Sequence, residues 1–174
     1  SYIFFYSDHG GPFPRHKRAI YETGTKVPFL VKFPGGKNEK VNKKQLLSFV
    51  DLAPTVLSIA GVKSPSEYQG YAFLGKNKSK IEREFLYTSS DRFDNVPDRI
   101  RAVRDSKFKY IRNYNPENSH ALNVLYRKQM LLMRHLTSLH LTGQLDEKSD
   151  NWFKSPRLME ELYDLENDPF ELNN

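Results

Sequence analysis

An unbroken apolar run, Tyr2-Ile3-Phe4-Phe5-Tyr6, ends abruptly in Ser7-Asp8-His9-Gly10-Gly11, and this junction constrains the chain more than any other stretch. Aromatic and β-branched residues without polar alternation suit a strand covered on both faces, as in a parallel sheet. In such sheets ligands sit just beyond the carboxyl ends of the strands, which is where Asp8 and His9 stand. The two glycines allow a sharp turn and a close backbone approach. Lys17 follows within Arg15-His16-Lys17-Arg18, and Glu22 lies five residues further on. Taken singly, an Asp–His pair after a strand is most often an Asx turn, and a basic run a solvated face. Their order is what matters: two metal-type ligands and then a cationic cluster suit a tetrahedral oxyanion.

That order resembles the sulfatases of the alkaline-phosphatase superfamily. The matching elements are Ser7-Asp8-His9-Gly10, Lys17, Tyr21-Glu22, Val27-Pro28 and Lys32-Phe33-Pro34-Gly35. Gly11-Pro12-Phe13-Pro14-Arg15 looks like the branch that contains the heparan N-sulfatases, or sulfamidases. The resemblance continues in family order through Val50-Asp51-Leu52-Ala53-Pro54-Thr55-Val56-Leu57, Gln69-Gly70, Arg101-Ala102-Val103-Arg104 and Lys109-Tyr110-Ile111-Arg112-Asn113-Tyr114. It closes with Glu161-Leu162-Tyr163-Asp164-Leu165 and Asp168-Pro169, so it covers nearly the whole chain.

The resemblance implies an α/β fold: the C-terminal part of an alkaline-phosphatase-like sandwich, with parallel-sheet strands plus a small antiparallel sheet packed on a long helix. Residues 1–83 are expected to close the sulfatase α/β core and carry half of the metal site. Residues 84–174 are expected to form the antiparallel subdomain. Sulfatases carry an Asp-Asp metal pair and a C/S-x-P-x-R motif in their N-terminal portion, where the Cys or Ser becomes formylglycine. This chain has no Cys, and Ser155-Pro156-Arg157 has the wrong spacing. The sequence thus reads as the C-terminal portion of a sulfatase, inactive alone, whose formylglycine is expected upstream and whose partner is the N-terminal part of the same polypeptide.

By the same resemblance, Asp8 and His9 are metal ligands for a divalent metal, with Ca²⁺ expected. A carboxylate suits that hard cation, whereas imidazole is commoner with Mn²⁺ or Zn²⁺, so metal identity stays open. Lys17 falls on the lysine that contacts the sulfate and the leaving-group oxygen. Arg15 and His16 are candidate substrate contacts. The implied reaction is hydrolysis of sulfate esters or N-sulfates, on glycosaminoglycan-type sugars such as heparan sulfate, in a periplasmic, secreted or lysosomal setting. Two rivals remain: a phosphodiesterase or phosphonate hydrolase of the same superfamily, and a non-catalytic module for sulfated polysaccharide.

Composition narrows the partners. The 174 residues suffice for one domain with a sizeable core or for the closing part of a larger one. With 27 basic and 21 acidic residues the net charge is +6, which favours anionic partners. The basic residues are spread among Tyr and Phe without a nucleic-acid module, so no nucleic acid is expected. No run of 18 apolar residues occurs, so no membrane span is expected.

Further along, residues 27–33 read as a second strand, stopped by Pro34-Gly35-Gly36 and a polar loop through Lys44. Residues 45–60 have helical spacing, with Asp51 and Pro54 near the start and Gly61 as the cap. A strand at 85–89 leads into a polar loop at 90–98. There Asp91, Arg92, Asp94 and Asp98 either line a sugar pocket or are merely solvated. Residues 100–104 and 108–114 alternate around Asp105-Ser106-Lys107, a hairpin signature. One long helix is expected over 122–141 and a last strand over 161–165. His120, His135 and His140 read as ordinary residues.

Overall fold

The computed structural model describes residues 1–36 and 44–174, and the polar loop expected to run up to Lys44 lies mostly outside them. The chain forms two compact units. One comprises Ser1–Glu39, Tyr87–Val103 and Lys107–Asn174; the other comprises Lys40–Leu86 and Arg104–Ser106.

In the first unit, β1 (Ile3–Tyr6) pairs with β2 (Phe29–Lys32), and Phe5 stands opposite Leu30. The ladder is antiparallel, not the parallel one that the apolar run suggests. A parallel pair needs a crossover of a dozen or more residues, usually a helix. Here the link contains only the single turn α1 (Glu22–Thr25). The expected cover on both faces is also lacking among the described residues, since Phe5 and Leu30 are 66% and 62% exposed.

The second sheet has four strands in the order β3-β4-β5-β6: Leu86–Phe93, Val96–Arg104, Phe108–Asn113 and Glu160–Asp164. β5 and β6 are antiparallel, with Lys109 opposite Tyr163 and Ile111 opposite Glu161. The expected hairpin at 105–107 is present. The polar loop expected at 90–98 is instead a second hairpin: β3 and β4 meet across Asp94-Asn95, with Asp94 in the left-handed region at φ 52°. Asp tolerates that conformation better than most side chains. The sheet packs Ile100, Ala102, Ile111 and Tyr163 against Ile20, Tyr21 and Trp152.

The expected long helix is broken at Met130 into α3 (Leu125–Gln129) and α4 (Leu131–Leu141). Arg127 and Met133 are both buried, yet six residues of continuous helix would set them roughly 120° apart. The extended Met130 (ψ 124°) turns both inward. Arg127 donates to the His120 carbonyl at 2.7 Å and lies over the Phe93 and Trp152 rings. A short α5 (Glu147–Asp150) follows, capped by the Asp146 carboxylate on the Ser149 N–H.

In the second unit, the expected helix shortens to a 3₁₀ turn (Phe49–Asp51) and α2 (Leu52–Ile59), with Gly61 left-handed just beyond it. Asp51 is buried. It accepts hydrogen bonds from the N–H groups of Ser48 and Tyr71, both at 2.8 Å, and pairs with Arg83 at 2.5 Å. The Gln69-Gly70 segment runs onto this helix start: a Cβ on Gly70 would lie 1.9 Å from the Val50 carbonyl oxygen.

Candidate active site

β1 delivers Ser7-Asp8-His9 into a loop whose ends are tied by Gly10 N–H to the Gly24 carbonyl at 3.0 Å. Both glycines are required. A Cβ on Gly10 would sit 1.9 Å from the Thr23 carbonyl oxygen, and one on Gly24 would sit 2.2 Å from that of Ala19. This tie encloses Arg15, His16 and Lys17 in one closed loop.

At its entrance, His9 Nδ1 is 2.6 Å from the Gly10 carbonyl oxygen. A carbonyl can only accept, so Nδ1 carries a proton. Nε2 in turn is 3.5 Å from Asp8 Oδ2, and the Asp8 side chain is 84% exposed. A ligating imidazole held by its other nitrogen on a backbone carbonyl is a common arrangement at metal sites. The carboxylate–imidazole set therefore fits a divalent cation. Among the described residues no third His, Asp or Glu joins them.

His9 also lines an open cleft of about 600 Å³ together with Arg18, Ile20 and the β3 residues Thr88, Ser90 and Arg92. The other candidates lie elsewhere. Lys17 is held by its N–H on the Gly11 carbonyl at 3.0 Å, and its ammonium stands 5.7 Å from the Tyr126 ring centre. It lines a small hollow with Phe93 and Met133, so His9 and Lys17 face different concavities. Arg15 donates to the carbonyls of Phe170 at 3.1 Å and Glu171 at 2.9 Å, and stacks over Tyr21 at 4.0 Å. His16 packs edge-on against Phe13. Of the acidic–basic group at 91–98, Asp91, Arg92 and Asp94 line the cleft. Asp98 instead is buried in a two-point pair with Arg157.

Sequence reasoning missed the buried polar centre beneath this loop. Lys109 lies 3.3 Å from Glu22 and 3.0 Å from Glu171, and all three side chains are almost fully buried. Glu171 also accepts the Glu22 N–H at 2.7 Å. Burial, partly offset by Lys109, raises its pKa. Alongside, the buried Glu161 accepts hydrogen bonds from Tyr21 (2.8 Å), Tyr163 (2.5 Å) and Asn113 (2.6 Å). Burial, and then the Glu161 charge, raises the pKa of both tyrosines, so they stay protonated donors. The available signal was that Tyr21, Glu22, Lys109, Asn113, Glu161 and Tyr163 fall in motifs distant in sequence yet of one family order; Glu171 falls in none of them.

His120, read as ordinary, is buried against this centre. It stacks on Trp152 and lies 3.2 Å from the Tyr21 hydroxyl. Desolvation lowers its pKa from 6.5 to about 4, so it is neutral at pH 7. The unfolded chain therefore takes up this proton first as pH falls, and stability is lost between the two values. The expected loss is about 3 kcal/mol on going from pH 6.5 to pH 4. Urea unfolding at a series of pH values should show this slope, and His120→Asn should flatten it.

The sequence profile described as N-sulphoglucosamine sulphohydrolase, C-terminal, matches residues 11–134. An ulvan-active sulfatase of Formosa agariphila is 50% identical over 173 residues, which is 99% of this chain and 29% of that protein. The chain belongs to the sulfatase family. It matches the C-terminal portion of that family. A second ulvan-active sulfatase of the same bacterium is 31% identical over 99% of this chain and 32% of that protein, so the chain spans about a third of such relatives. Two solved sulfatases share the fold over 99% of this sulfatase chain. One is a 2-O GAG sulfatase (TM-score 0.64, 22% identity, 31% of its length). The other was solved with its substrate D-glucosamine-2-N,6-O-disulfate (TM-score 0.58, 23% identity, 29% of its length). The α/β alkaline-phosphatase-like class is thus as expected. Among the described residues no helix is long and apolar enough to cross a membrane.

Proposed function

We propose that this chain is the C-terminal portion of a sulfatase that hydrolyses sulfate esters or N-sulfates of glycosaminoglycan-type sugars. Asp8 and His9 supply two ligands of its divalent-metal site, with Ca²⁺ the first candidate. The observation that carries this reading is the His9 geometry, because Nδ1 is spent on the Gly10 carbonyl and leaves Nε2 beside the exposed Asp8 carboxylate. Asp8 and His9 would hold the cation, which would supply positive charge to sulfate oxygens, and the nucleophile would come from the upstream formylglycine expected of the family. Lys17 contributes a compact positive charge to the sulfate and the departing oxygen.

In the whole enzyme residues 1–83 would close the α/β core and residues 84–174 form the antiparallel subdomain, although residues 1–39 share a compact unit with 87–103 and 107–174. The exposed apolar faces of β1 and β2 are in keeping with a core that the rest of the same polypeptide would cover. Arg15 is better read as holding the loop to residues 170–171 than as a substrate contact, since both of its terminal nitrogens are engaged there.

Asp8→Ala in the full-length enzyme should remove metal and activity together, because the remaining oxygen ligands lose a charged partner. Elemental analysis and kcat on an aryl sulfate check this. A variant that keeps both its metal and its kcat would make Asp8 a turn residue.

A further inference from the structure

We infer that Glu171 is a positioning residue for Lys17: residues 170–171 clasp the loop on both sides of the lysine, and the rate of the sulfate reaction depends on that clasp. The inference rests on the reading of Lys17 as the lysine that meets the sulfate and the departing oxygen.

The first observation is where the clasp grips. Before Lys17, the Arg15 guanidinium donates to the carbonyls of Phe170 at 3.1 Å and Glu171 at 2.9 Å. After Lys17, the Glu22 N–H donates to the Glu171 carboxylate at 2.7 Å. One residue thus holds the loop on one side of the lysine with its carbonyl and on the other with its side chain. The Thr23 hydroxyl donates to the Arg15 carbonyl and joins the two gripped ends. The Glu171 side chain is fully buried, and its other carboxylate oxygen lies 3.0 Å from Lys109 Nζ. A fixed cation therefore aims the carboxylate, and water does not reach it.

The second observation is the backbone that the clasp has to hold. Arg15 and Arg18, which flank Lys17, are both left-handed, at φ 62° and 61°. Side chains other than Gly, Asn and Asp seldom adopt that region, and they keep it where their surroundings enforce it. This backbone sets the direction in which the Lys17 side chain leaves the loop.

The clasp is itself anchored. The Glu171 N–H donates to the Asp168 carbonyl at 3.1 Å, and the Asp168 carboxylate accepts the Asn173 N–H at 2.7 Å. The Asn174 side-chain oxygen accepts the N–H of Leu162 in β6 at 2.6 Å. Residues 168–174 are thus fixed on the four-stranded sheet, and the clasp ties the loop to that sheet. A misplacement of about 1 Å caused far from the chemistry can cost about 10²-fold in rate. Glu171 reaches the reaction only through Lys17, so its effect should vanish once the lysine side chain is gone.

The test uses the full-length enzyme with Glu171→Ala, alone and combined with Lys17→Ala, on aryl sulfates of graded leaving-group acidity. Glu171→Ala should lower kcat roughly 10- to 100-fold while metal content stays at the wild-type level. The loss should be larger for poor leaving groups, because Lys17 serves the departing oxygen. In the Lys17→Ala background the same substitution should change kcat by no more than about 2-fold. A merely structural Glu171 would lower the active fraction equally in both backgrounds and for every leaving group, and that result overturns the inference. If Glu171→Ala does not fold, Arg15→Gln releases the other side of the clasp from a half-buried side chain. It should show the same dependence on Lys17; an unchanged kcat, or a loss that persists without Lys17, overturns the inference. A Lys17→Ala enzyme with wild-type kcat would instead overturn the reading of Lys17 on which the inference rests.

Discussion

Lys109→Met should destabilise the protein by about 3–5 kcal/mol, the range found when one partner is removed from a buried ion pair. Lys109 is 1% exposed and is the cation between Glu22 and Glu171, which are 7% and 0% exposed. Methionine fills a similar volume, so packing changes little. What remains is two carboxylates facing one another without water. Glu171 accepts the Glu22 N–H, and that bond ties the base of the Gly10–Gly24 loop to residue 171. Loss of the cation should therefore loosen the loop as well as lower global stability.

The sign of the pH dependence separates this cause from a packing defect. Without Lys109, which lowers it, the Glu171 pKa should rise further in the direction already set by burial. For a raised carboxyl, the lost stability is greatest where it is ionised and is regained as pH falls through the folded value. The gap between Lys109→Met and wild type should thus be widest near pH 8 and narrow below about pH 5. Adding Glu171→Gln should recover part of the loss, because one charge and the repulsion are removed together. A gap that is independent of pH, measured by urea unfolding, would assign the effect to packing.

The sequence made some parts of this architecture readable and hid others, for definite reasons. The hairpin at 105–107 and the strand at 160–164 show period-2 alternation, and each has a half-buried face that imposes it. The hairpin at 94–95 was hidden because residues 88–92 of β3 are all polar and line a cleft. A strand that lines a cleft reads as a loop. The break at Met130 has no Gly or Pro to announce it; two buried side chains that a continuous helix would set roughly 120° apart accompany it, and periodicity averages over both. The antiparallel pairing of β1 and β2 was hidden because an apolar run without alternation says how buried a strand should be and nothing about its direction.

The candidate site divides the same way. Asp8, His9 and Gly10 are contiguous, so the local sequence was enough to single them out, whereas Gly24, which closes the loop on Gly10, was not. Glu22, Lys109, Glu161 and Glu171 each look like ordinary surface charges in their own segments. Only the fold brings them together, burying three carboxylates around one lysine and a pair of tyrosines. Several motif residues shared with the sulfatases thus hold the loop in place beneath the site, and contribute no group to the cleft.

Lys17→Ala in the full-length enzyme should lower kcat by about 100-fold or more while leaving metal content at the wild-type level. Removing one preformed donor to developing negative charge typically costs about 10²–10³ in kcat. Charge grows on the departing oxygen mainly in the transition state, so the loss belongs in kcat rather than KM. The position of the loop supports this expectation: Gly10 and Gly24 clamp its ends, and the Lys17 N–H is fixed on the Gly11 carbonyl, so the side chain starts from a defined point. Its ammonium rests over Tyr126, away from the His9 cleft, and four rotatable bonds allow it to leave that ring for a sulfate. Tyr126→Leu should therefore change kcat far less than Lys17→Ala does. Lys17→Arg should rescue poorly, because a planar fork does not replace a compact point charge. An unchanged kcat with only a raised KM in Lys17→Ala would give the lysine a role in uniform binding, and the leaving-group role would have to pass to another residue.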